Sequence, residues 1–545
     1  MKTAATLLIV GNAIYDSVRH QPFPGVLVIE GNRIVDVGDM SLIERYTGTM
    51  TKLLDAGNRL VMPGFHDSHT HLLMAGMYQS CVNLSSATSE KEAALMVKEA
   101  AQPLDDSSGW VIGFSWYHVF WDDQTPPTKA SLDAYFPDRP VFLLNAEAHG
   151  AWVNSKALEI AGIDAATPNP FGGEICRDER GEATGLLLES ATGLITRHAF
   201  AFSTQEEKAY LQAYEKSALA NGITSVNDVQ PYFHGNMGTL EVYHDMDKQG
   251  DWNLRVHVAL DLLGDLSEAE TWRQRVHSDG LRVDHLKQFL DGVITTHTAL
   301  VLEPYADASD TCGISLMDTL AIEKAVPEAH KRGFSLKLHA CGDRAVRMGL
   351  DYIEAAEKQY GKNQCRHAIE HIEMVSDEDV PRFATLGVIP SVQPEHIALT
   401  QRFADSPYFN ALGEDRANKT WPLKTLYDTV GLLAIGSDCP VVDNNPFLEI
   451  YRGVTRKYND GEPKEGWNPS EKLSLHEVLR SYTYGSAYGV GREHELGTLE
   501  PGKLADVIIL DRNLFDVSTE EIRQTKVDTT IFNGQVVYQR PSTDQ

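Results

Sequence analysis

The chain has 545 residues, of which 42% are hydrophobic and 23% charged, a composition that excludes a disordered polypeptide and fits a soluble globular protein. Its formal charge of 48 − 77 = −29 argues against binding to nucleic-acid phosphates or to anionic lipid. Six scattered cysteines, none paired as CxxC, exclude a zinc knuckle and favour a reduced, cytoplasmic protein.

The two ends of the chain are predicted to be β-structure. The N-terminal MKTAATLLIVGNA indicates a first strand rather than a signal peptide, and no apolar run approaches the ~20 residues of a membrane span. GVLVIEGNRIVDVGD contains a hairpin signal at Gly31-Asn32, and TTIFNGQVVYQ contains another at Asn533-Gly534. We therefore expect residues 1–60 and 491–545 to form one small β-sandwich domain, the alternative being two unrelated appendages.

The middle of the chain alternates strand-like and helix-like segments, which is typical of a parallel sheet covered by helices. Eight β/α units predict an α/β TIM barrel, beginning in residues 61–90 and continuing in residues 201–490. The eight strand candidates are LVMPGFHDSHTH, GITSVNDV, LRVHVALD, HLKQFLDG, FSLKLHA, CRHAIEH, GVIPSVQP and GLLAIGSD.

One connection is far too long for a loop between a strand and its helix. About 150 residues separate the first strand candidate from GITSVNDV, and they include strand-like and helix-like runs such as WVIGFSWY and NSKALEIAG. We therefore expect residues 91–200 to form an inserted α/β subdomain.

His69-Thr70-His71 is the sharpest local motif. Residues two apart in a strand face the same side, so both imidazoles can reach one metal ion. An ordinary pair of histidines is the alternative for this motif taken alone. Its position favours the metal site, because it ends the first barrel strand, shortly after Pro63-Gly64.

Three other strand candidates end in the same kind of residue. His339 closes FSLKLHA, His371 closes CRHAIEH and Asp438 closes GLLAIGSD. Barrel active sites are built at these carboxyl ends of strands, and imidazole with carboxylate suits a transition-metal ion. Each residue alone could be structural, but their joint placement predicts a metal site.

Lys287, in HLKQFLDG, differs in type from the histidines and the aspartate of the other strand candidates. A lone lysine in a strand is usually a surface residue or an ion-pair partner. Inside a barrel its charge is costly unless the amine is neutral or modified.

At these residues the chain resembles the amidohydrolase superfamily, in particular amidohydrolase family 3, which includes N-substituted formamide deformylase. The matching segments occur in family order along nearly the whole chain. They are PGFHDSHTHL, NSKAL, GITSVNDV, LKQFLDG, LHACGDRAV, RHAIEH, SVQP, IGSDCPV and LGTLEPGKLADVIILD.

The resemblance implies roles for the metal-site residues. His69 and His71 would bind the more buried ion, and His339 and His371 the second ion. Lys287 would be carboxylated by carbon dioxide and bridge the two, and Asp438 would be both ligand and general base. Zinc is the expected metal, as one or two ions, with manganese, cobalt or iron as alternatives.

Four more residues are predicted near the substrate or behind the ligands. His149 resembles a family histidine near the site, a hydrogen-bonded structural histidine being the alternative. Gln393 and His396 follow the seventh strand, where barrel loops contact substrates. Asp343 begins the helix after His339, where helix capping is the alternative explanation.

The expected activity is hydrolysis of a carbon–nitrogen bond other than a peptide bond, in an N-substituted amide or formamide. A deaminase, or a hydrolase of cyclic amides or esters, is the alternative on the same centre, and a non-catalytic scaffold is a remote one. We expect a small-molecule substrate, no nucleic-acid or membrane partner, and, from the resemblance, a homodimer.

Overall fold

The protein is described from a computed structural model, for residues 5–101, 109–118, 121–145, 150–170, 173–229, 238–315, 317–400 and 402–541. The chain divides into two compact units. The first comprises residues 1–71, 215–230 and 244–545, and the second residues 72–214 and 231–243. The first unit contains the terminal strands and the barrel, and the second contains the predicted insertion.

The amino-terminal segment is β-rich, as predicted. Its elements are β1 (Leu7–Ile14), β2 (Phe23–Glu30), β3 (Arg33–Gly38), α1 (Ser41–Tyr46) and β4 (Lys52–Pro63). The turn between β2 and β3 needs a left-handed residue, and Gly31 supplies it with φ +61°. After β4 the chain enters β5 (Phe65–Thr70), every residue of which is buried.

The second unit has its own six-stranded sheet, in the order β10-β11-β9-β8-β7-β6. Trp116, Trp121 and Trp152 pack together in its core, with ring centroids 6.0–6.2 Å apart. Its strands are β6 (Val82–Asn83), β7 (Val111–Trp116), β8 (Val141–Asn145), β9 (Gly150–Val153), β10 (Gly173–Arg177) and β11 (Ala183–Glu189). Its helices are α2 (Leu72–Ser80), α3 (Glu90–Ala101), α4 (Lys129–Asp133), α5 (Ser155–Ile160), α6 (Gly193–Ala199) and most of α7 (Thr204–Ala220).

The eight strand candidates of the sequence form a parallel TIM barrel. β5 is followed in sheet order by β12 (Ile223–Val229), β13 (Arg255–Asp261), β14 (Leu281–Phe289), β15 (Ser335–Ala340), β16 (Ala368–His371), β17 (Ile389–Val392) and β18 (Ala434–Ile435). A parallel bridge between Thr70 and Cys439 joins the last strand's end to the first and nearly closes the barrel.

Helices follow the barrel strands. They are α8 (Leu240–Gln249), α9 (Leu266–Arg275), α10 (Thr319–Lys331), α11 (Asp343–Tyr360), α12 (Val380–Leu386), α13 (Tyr408–Leu412), α14 (Glu414–Ala417), α15 (Leu423–Val430), α16 (Pro446–Thr455), α17 (Leu475–Arg480) and α18 (Ser486–Gly489). In α11, buried residues recur every three or four positions, as expected for a helix that packs one face on a sheet. A Cβ at Gly349 would lie 2.7 Å from Ile369 Cδ1, so glycine permits this close packing.

The carboxyl-terminal strands join the amino-terminal ones in a single sheet. β19 (Val507–Leu510), β20 (Val527–Phe532) and β21 (Gln535–Gln539) follow the barrel, with α19 (Thr519–Ile522) between the first two. The seven-stranded order is β21-β20-β19-β4-β1-β2-β3. Asp506, beside β19, forms a buried ion pair with Arg255 of the barrel, with an Nε–Oδ2 distance of 2.7 Å. Among the residues described, no helix has both the length and the apolar character to cross a bilayer.

Candidate metal centre

Five residues at the carboxyl ends of the barrel strands lie side by side, and we call them the rim cluster: His69, His71, His339, His371 and Asp438. The ring centroid of His371 is 4.9 Å from that of His69 and 4.3 Å from that of His339. Asp438 Oδ1 lies 3.3 Å from His69 Nε2 and 3.2 Å from His71 Nε2. The structure therefore brings together residues from four strand ends that are up to 369 positions apart in sequence.

The potential ligand atoms form overlapping groups with spacings that suit a metal ion. Within each group all ligand atoms lie within 4.8 Å of one another. Since His371 and Asp438 each belong to two groups, the groups form one continuous site. The groups are His69–His71–Asp438, His371–His396–Asp438 and His339–Cys341–His371.

The backbone departs from regular strand geometry at these positions. Between Asp67 and Thr70, β5 has one more residue than the paired stretch of β12, an irregularity that re-aims side chains. His371 and Asp438 have left-handed φ values of +74° and +58°. Such conformations cost about 1–3 kcal/mol each and are concentrated at functional sites.

Hydrogen bonds join the first barrel strand to the segment after the last one, next to the rim cluster. Asp67 Oδ1 accepts hydrogen bonds from the backbone N–H groups of His69 (3.1 Å) and Ser437 (2.9 Å), and its Oδ2 accepts one from Ser437 Oγ (2.6 Å). A Cβ at Gly436 would lie 2.4 Å from His69 N, so only glycine allows this approach. His69 and Asp438 are thereby held in a fixed relative position.

Two histidines are held in defined orientations by their second ring nitrogen. Glu370 Oε2 lies 2.6 Å from His69 Nδ1, and the Gly292 carbonyl lies 3.0 Å from His339 Nε2. Burial lowers the pKa of His69 to about 4 and that of His339 to about 3. The rings are therefore neutral, and each N–H donated to a carboxylate or carbonyl leaves a lone pair on the opposite nitrogen.

Lys287 is buried at the same end of the barrel. It is 0% exposed, and its Nζ atom has no hydrogen-bond partner among the residues described. Burial lowers the pKa of Lys287 to about 8, against the opposing influence of the Glu370 and Asp438 carboxylates. Burial also acts to raise the pKa of Asp438, but the neighbouring histidines outweigh it and hold that pKa well below its usual value.

Two of the residues predicted to contact substrate also lie here, on the turn after β17. His396 Nε2 is 3.9 Å from Asp438 Oδ2 and has no hydrogen-bond partner among the residues described. Both polar atoms of the Gln393 amide are likewise buried and without such a partner. Unpaired polar atoms inside a protein are costly, so these atoms are available to a water molecule or a substrate.

Of the other two predicted residues, only Asp343 is among the residues described. Asp343 is the first residue of α11, and its described hydrogen bonds come from the backbone N–H groups of Leu302 and Arg344, at 2.8 and 2.9 Å. Asp343 thus stabilises a loop and the start of a helix. His149 lies outside the described residues.

The sequence prediction missed Glu370 and Asp291. Strand alternation assigns Glu370 and His371 to opposite faces, but the left-handed backbone at His371 lets both reach His69. Asp291, at the end of LKQFLDG, accepts hydrogen bonds from the backbone of Cys341 (3.0 Å) and Gly342 (2.9 Å). Its position just after a barrel strand was the available signal, and its partners 50 residues later were not visible in the sequence.

The chain is similar to known proteins over nearly its whole length. A model of the amidohydrolase family matches residues 52–538. The protein LONG AFTER FAR-RED 3 of Arabidopsis thaliana is 32% identical, over 98% of this chain and 92% of that protein. N-substituted formamide deformylase of Arthrobacter pascens is 28% identical, over 94% of this chain and 95% of the enzyme.

A solved structure agrees with these sequence matches. An uncharacterized metal-dependent hydrolase from Pyrococcus furiosus superimposes with a TM-score of 0.77 at 29% identity, covering 93% of this chain and 99% of that one. The chain belongs to the amidohydrolase family, as a metal-dependent hydrolase acting on carbon–nitrogen bonds other than peptide bonds.

Proposed function

We propose that this amidohydrolase cleaves a small N-substituted amide or formamide, using zinc held by the rim cluster and Lys287. The observation that carries the proposal is the convergence of four imidazoles and one carboxylate at the carboxyl end of the barrel. The substrate class is supported by the similarity to the Arthrobacter pascens N-substituted formamide deformylase.

The residues present fit a divalent cation. Imidazole nitrogen and carboxylate oxygen suit zinc, and they also accept manganese, cobalt or iron. His69 Nε2 and His71 Nε2 both face Asp438. His339 uses its Nε2 atom in the hydrogen bond to Gly292, so its Nδ1 atom has the lone pair that would bind a metal ion. The overlapping groups provide donors for one or two ions.

Lys287 is suited to become a further ligand by reacting with carbon dioxide. A buried amine with a pKa of about 8 is largely neutral in weakly alkaline conditions. Its nitrogen lone pair attacks the carbon of carbon dioxide, so that an N–C bond forms while one C–O π bond opens onto oxygen, and one N–H proton is lost to water. The product is a carboxylate on the lysine nitrogen, which supplies two oxygen donors in place of an unpaired amine.

Asp438 carries the proton during hydrolysis. A bound divalent cation polarises a carbonyl and lowers the pKa of water towards neutrality. Asp438 takes the proton from the attacking water, whose oxygen bonds to the carbonyl carbon. As the carbon–nitrogen bond breaks, Asp438 returns that proton to the leaving nitrogen, so a neutral amine departs. Gln393 and His396, with buried unpaired polar atoms, hold the substrate amide.

A metal analysis combined with a substrate panel tests the proposal. Purified protein should contain zinc or a related transition metal and should release formate or another carboxylate plus an amine from N-alkyl or N-aryl amides. Release of ammonia from an amino-substituted ring would instead identify a deaminase. Protein that contains no transition metal, and that stays inactive on the whole panel after reloading with zinc, would overturn the proposal.

A further inference from the structure

A buried ion pair lies directly behind His69. Glu370 Oε2 accepts the hydrogen bond from His69 Nδ1 at 2.6 Å, and Glu370 Oε1 lies 3.0 Å from Lys337 Nζ. Lys337 Nζ also donates to the Ser68 carbonyl at 3.1 Å. The side chains of His69, Glu370 and Lys337 are 1%, 0% and 4% exposed, so the whole chain of contacts is shielded from solvent.

The pair lies on two neighbouring strands, but it contacts a strand that is not their neighbour in the sheet. Ser68 and His69 are on β5, Lys337 is on β15 and Glu370 is on β16, and β5 pairs with neither of the last two. The contacts therefore cross the barrel interior. Burying two charges has a large desolvation cost, and an apolar pair of similar volume is often at least as stable. Fold stability alone is a weak explanation for charges at this position.

We propose that Lys337 is a positioning residue of the metal centre, acting through Glu370 on the ligand His69. This inference rests on the proposed function, because it requires that His69 bind the ion. Lys337 fixes the orientation of the Glu370 carboxylate and balances its charge. Glu370 in turn fixes the His69 ring with its Nε2 lone pair towards Asp438 and strengthens that nitrogen as a donor.

The opposite side of the centre has a weaker charged support. His339 Nε2 faces the neutral Gly292 carbonyl at 3.0 Å, with the Cys341 sulfur at 3.4 Å, and the Asp291 carboxylate is beyond hydrogen-bond distance, its Oδ1 at 3.7 Å. A carboxylate acceptor makes imidazole a stronger ligand than a carbonyl acceptor does. Where two ions are bound, the one held by His69 and His71 should therefore be released last during chelation.

The inference is tested with two variants that keep side-chain size, Lys337→Met and Glu370→Gln. Metal-free protein is prepared, and its zinc dissociation constant is measured by competition with a chromogenic chelator. Each variant should bind zinc about 10- to 100-fold more weakly. The melting temperature of the metal-free protein is recorded in parallel. The visible spectrum of cobalt-loaded protein should also change, because the ligand field at His69 changes.

Asp506→Asn is the matched control, since it too removes one carboxylate from a buried pair, the one with Arg255. It should lower the melting temperature without changing the zinc dissociation constant. If Lys337→Met does not fold, Lys337→Gln replaces it, because its amide can still donate to Glu370 while carrying no charge.

The double variant Lys337→Met/Glu370→Gln decides whether the two residues act as one unit. If Lys337 acts through Glu370, the double variant binds zinc no more weakly than the single variant with the lower zinc affinity. Two outcomes would overturn the inference while leaving the proposed function intact. In the first, the fold-changes in zinc affinity of the two single variants multiply in the double variant. In the second, the single variants keep the wild-type zinc affinity but have a lowered melting temperature. Wild-type protein that binds no zinc would overturn the proposed function itself.

Discussion

Two histidine clusters at opposite ends of the barrel resemble each other in composition and differ in chemistry. The rim cluster lies at the carboxyl ends of the strands. The second, which we call the lower histidine pair, consists of His330 at the end of α10 and His367 just before β16, with Cys365 nearby. In both, three potential ligand atoms lie within 4.8 Å of one another. Proximity alone would identify both as metal sites.

The hydrogen bonds separate the two clusters. The Leu336 N–H donates to His367 Nδ1 at 3.2 Å, so the proton of that ring is on Nε2. That nitrogen donates to His330 Nδ1 at 2.9 Å, and His330 Nε2 donates to the Gly361 carbonyl at 2.9 Å. Every ring nitrogen of the lower histidine pair is therefore used within the fold, and neither ring has a free lone pair.

At the rim, in contrast, several buried polar atoms have no hydrogen-bond partner among the residues described. They are Lys287 Nζ, His396 Nε2 and both polar atoms of Gln393. These rim atoms are therefore available to a metal ion or substrate, whereas the ring nitrogens of the lower histidine pair are not.

Asp438→Asn should have the largest effect, because it removes the proton carrier from the rim. Loss of a general base lowers turnover by about 10²–10⁴-fold, and the amide is also a poorer ligand. The measurement is kcat on the best substrate of the panel, with the melting temperature as a check on folding. Asp343→Asn is the matched control and should stay within a few-fold of wild type. Wild-type turnover by Asp438→Asn would remove this residue from the mechanism.

Exchanging one histidine for leucine in each cluster should give opposite results. His339→Leu should lose metal and activity. His367→Leu should keep both, but it leaves Leu336 N–H and His330 Nδ1 unpaired inside the protein, which costs about 1–3 kcal/mol. The zinc content and the free energy of unfolding by denaturant are measured on both variants to check these two expectations. Loss of zinc from His367→Leu would contradict the distinction between the clusters.

The sequence was sufficient for the barrel strands and for the rim cluster as a group. The strands are short apolar runs that mostly alternate with helix-like segments. His69, His71, His339, His371 and Asp438 each lie at or just after the end of one, so local pattern was enough to predict that they meet. The residues that hydrogen-bond to the rim cluster were not predicted, because those contacts depend on tertiary structure. Glu370 could be found only once the left-handed backbone at His371 was known.

Asp291 and the lower histidine pair show the same limit. The partners of Asp291 are backbone groups brought near by folding, and those of His330 and His367 include each other and two main-chain groups. No residue pattern predicts a hydrogen bond to a peptide group that is distant in sequence. Whether a histidine ring keeps a free nitrogen therefore depends on these contacts rather than on its neighbours in sequence.

The smallest predicted effect is the dependence of stability on pH, which follows from the burial of His367. Burial lowers the pKa of His367 to about 3, whereas in the unfolded chain it is about 6.5. Below pH 6.5 the unfolded state therefore binds a proton that the folded state does not, and stability falls as the pH falls towards 3.

Between pH 7.5 and 5.5 this residue alone should reduce the free energy of unfolding by about 1.4 kcal/mol. Denaturant unfolding of wild type and His367→Leu at both pH values measures it. The variant should lose less stability than wild type over this interval, because leucine takes up no proton in the unfolded state. An equal loss in both proteins would mean that His367 has the same pKa in the folded and unfolded states, so that its burial and its hydrogen bonds do not keep the ring neutral.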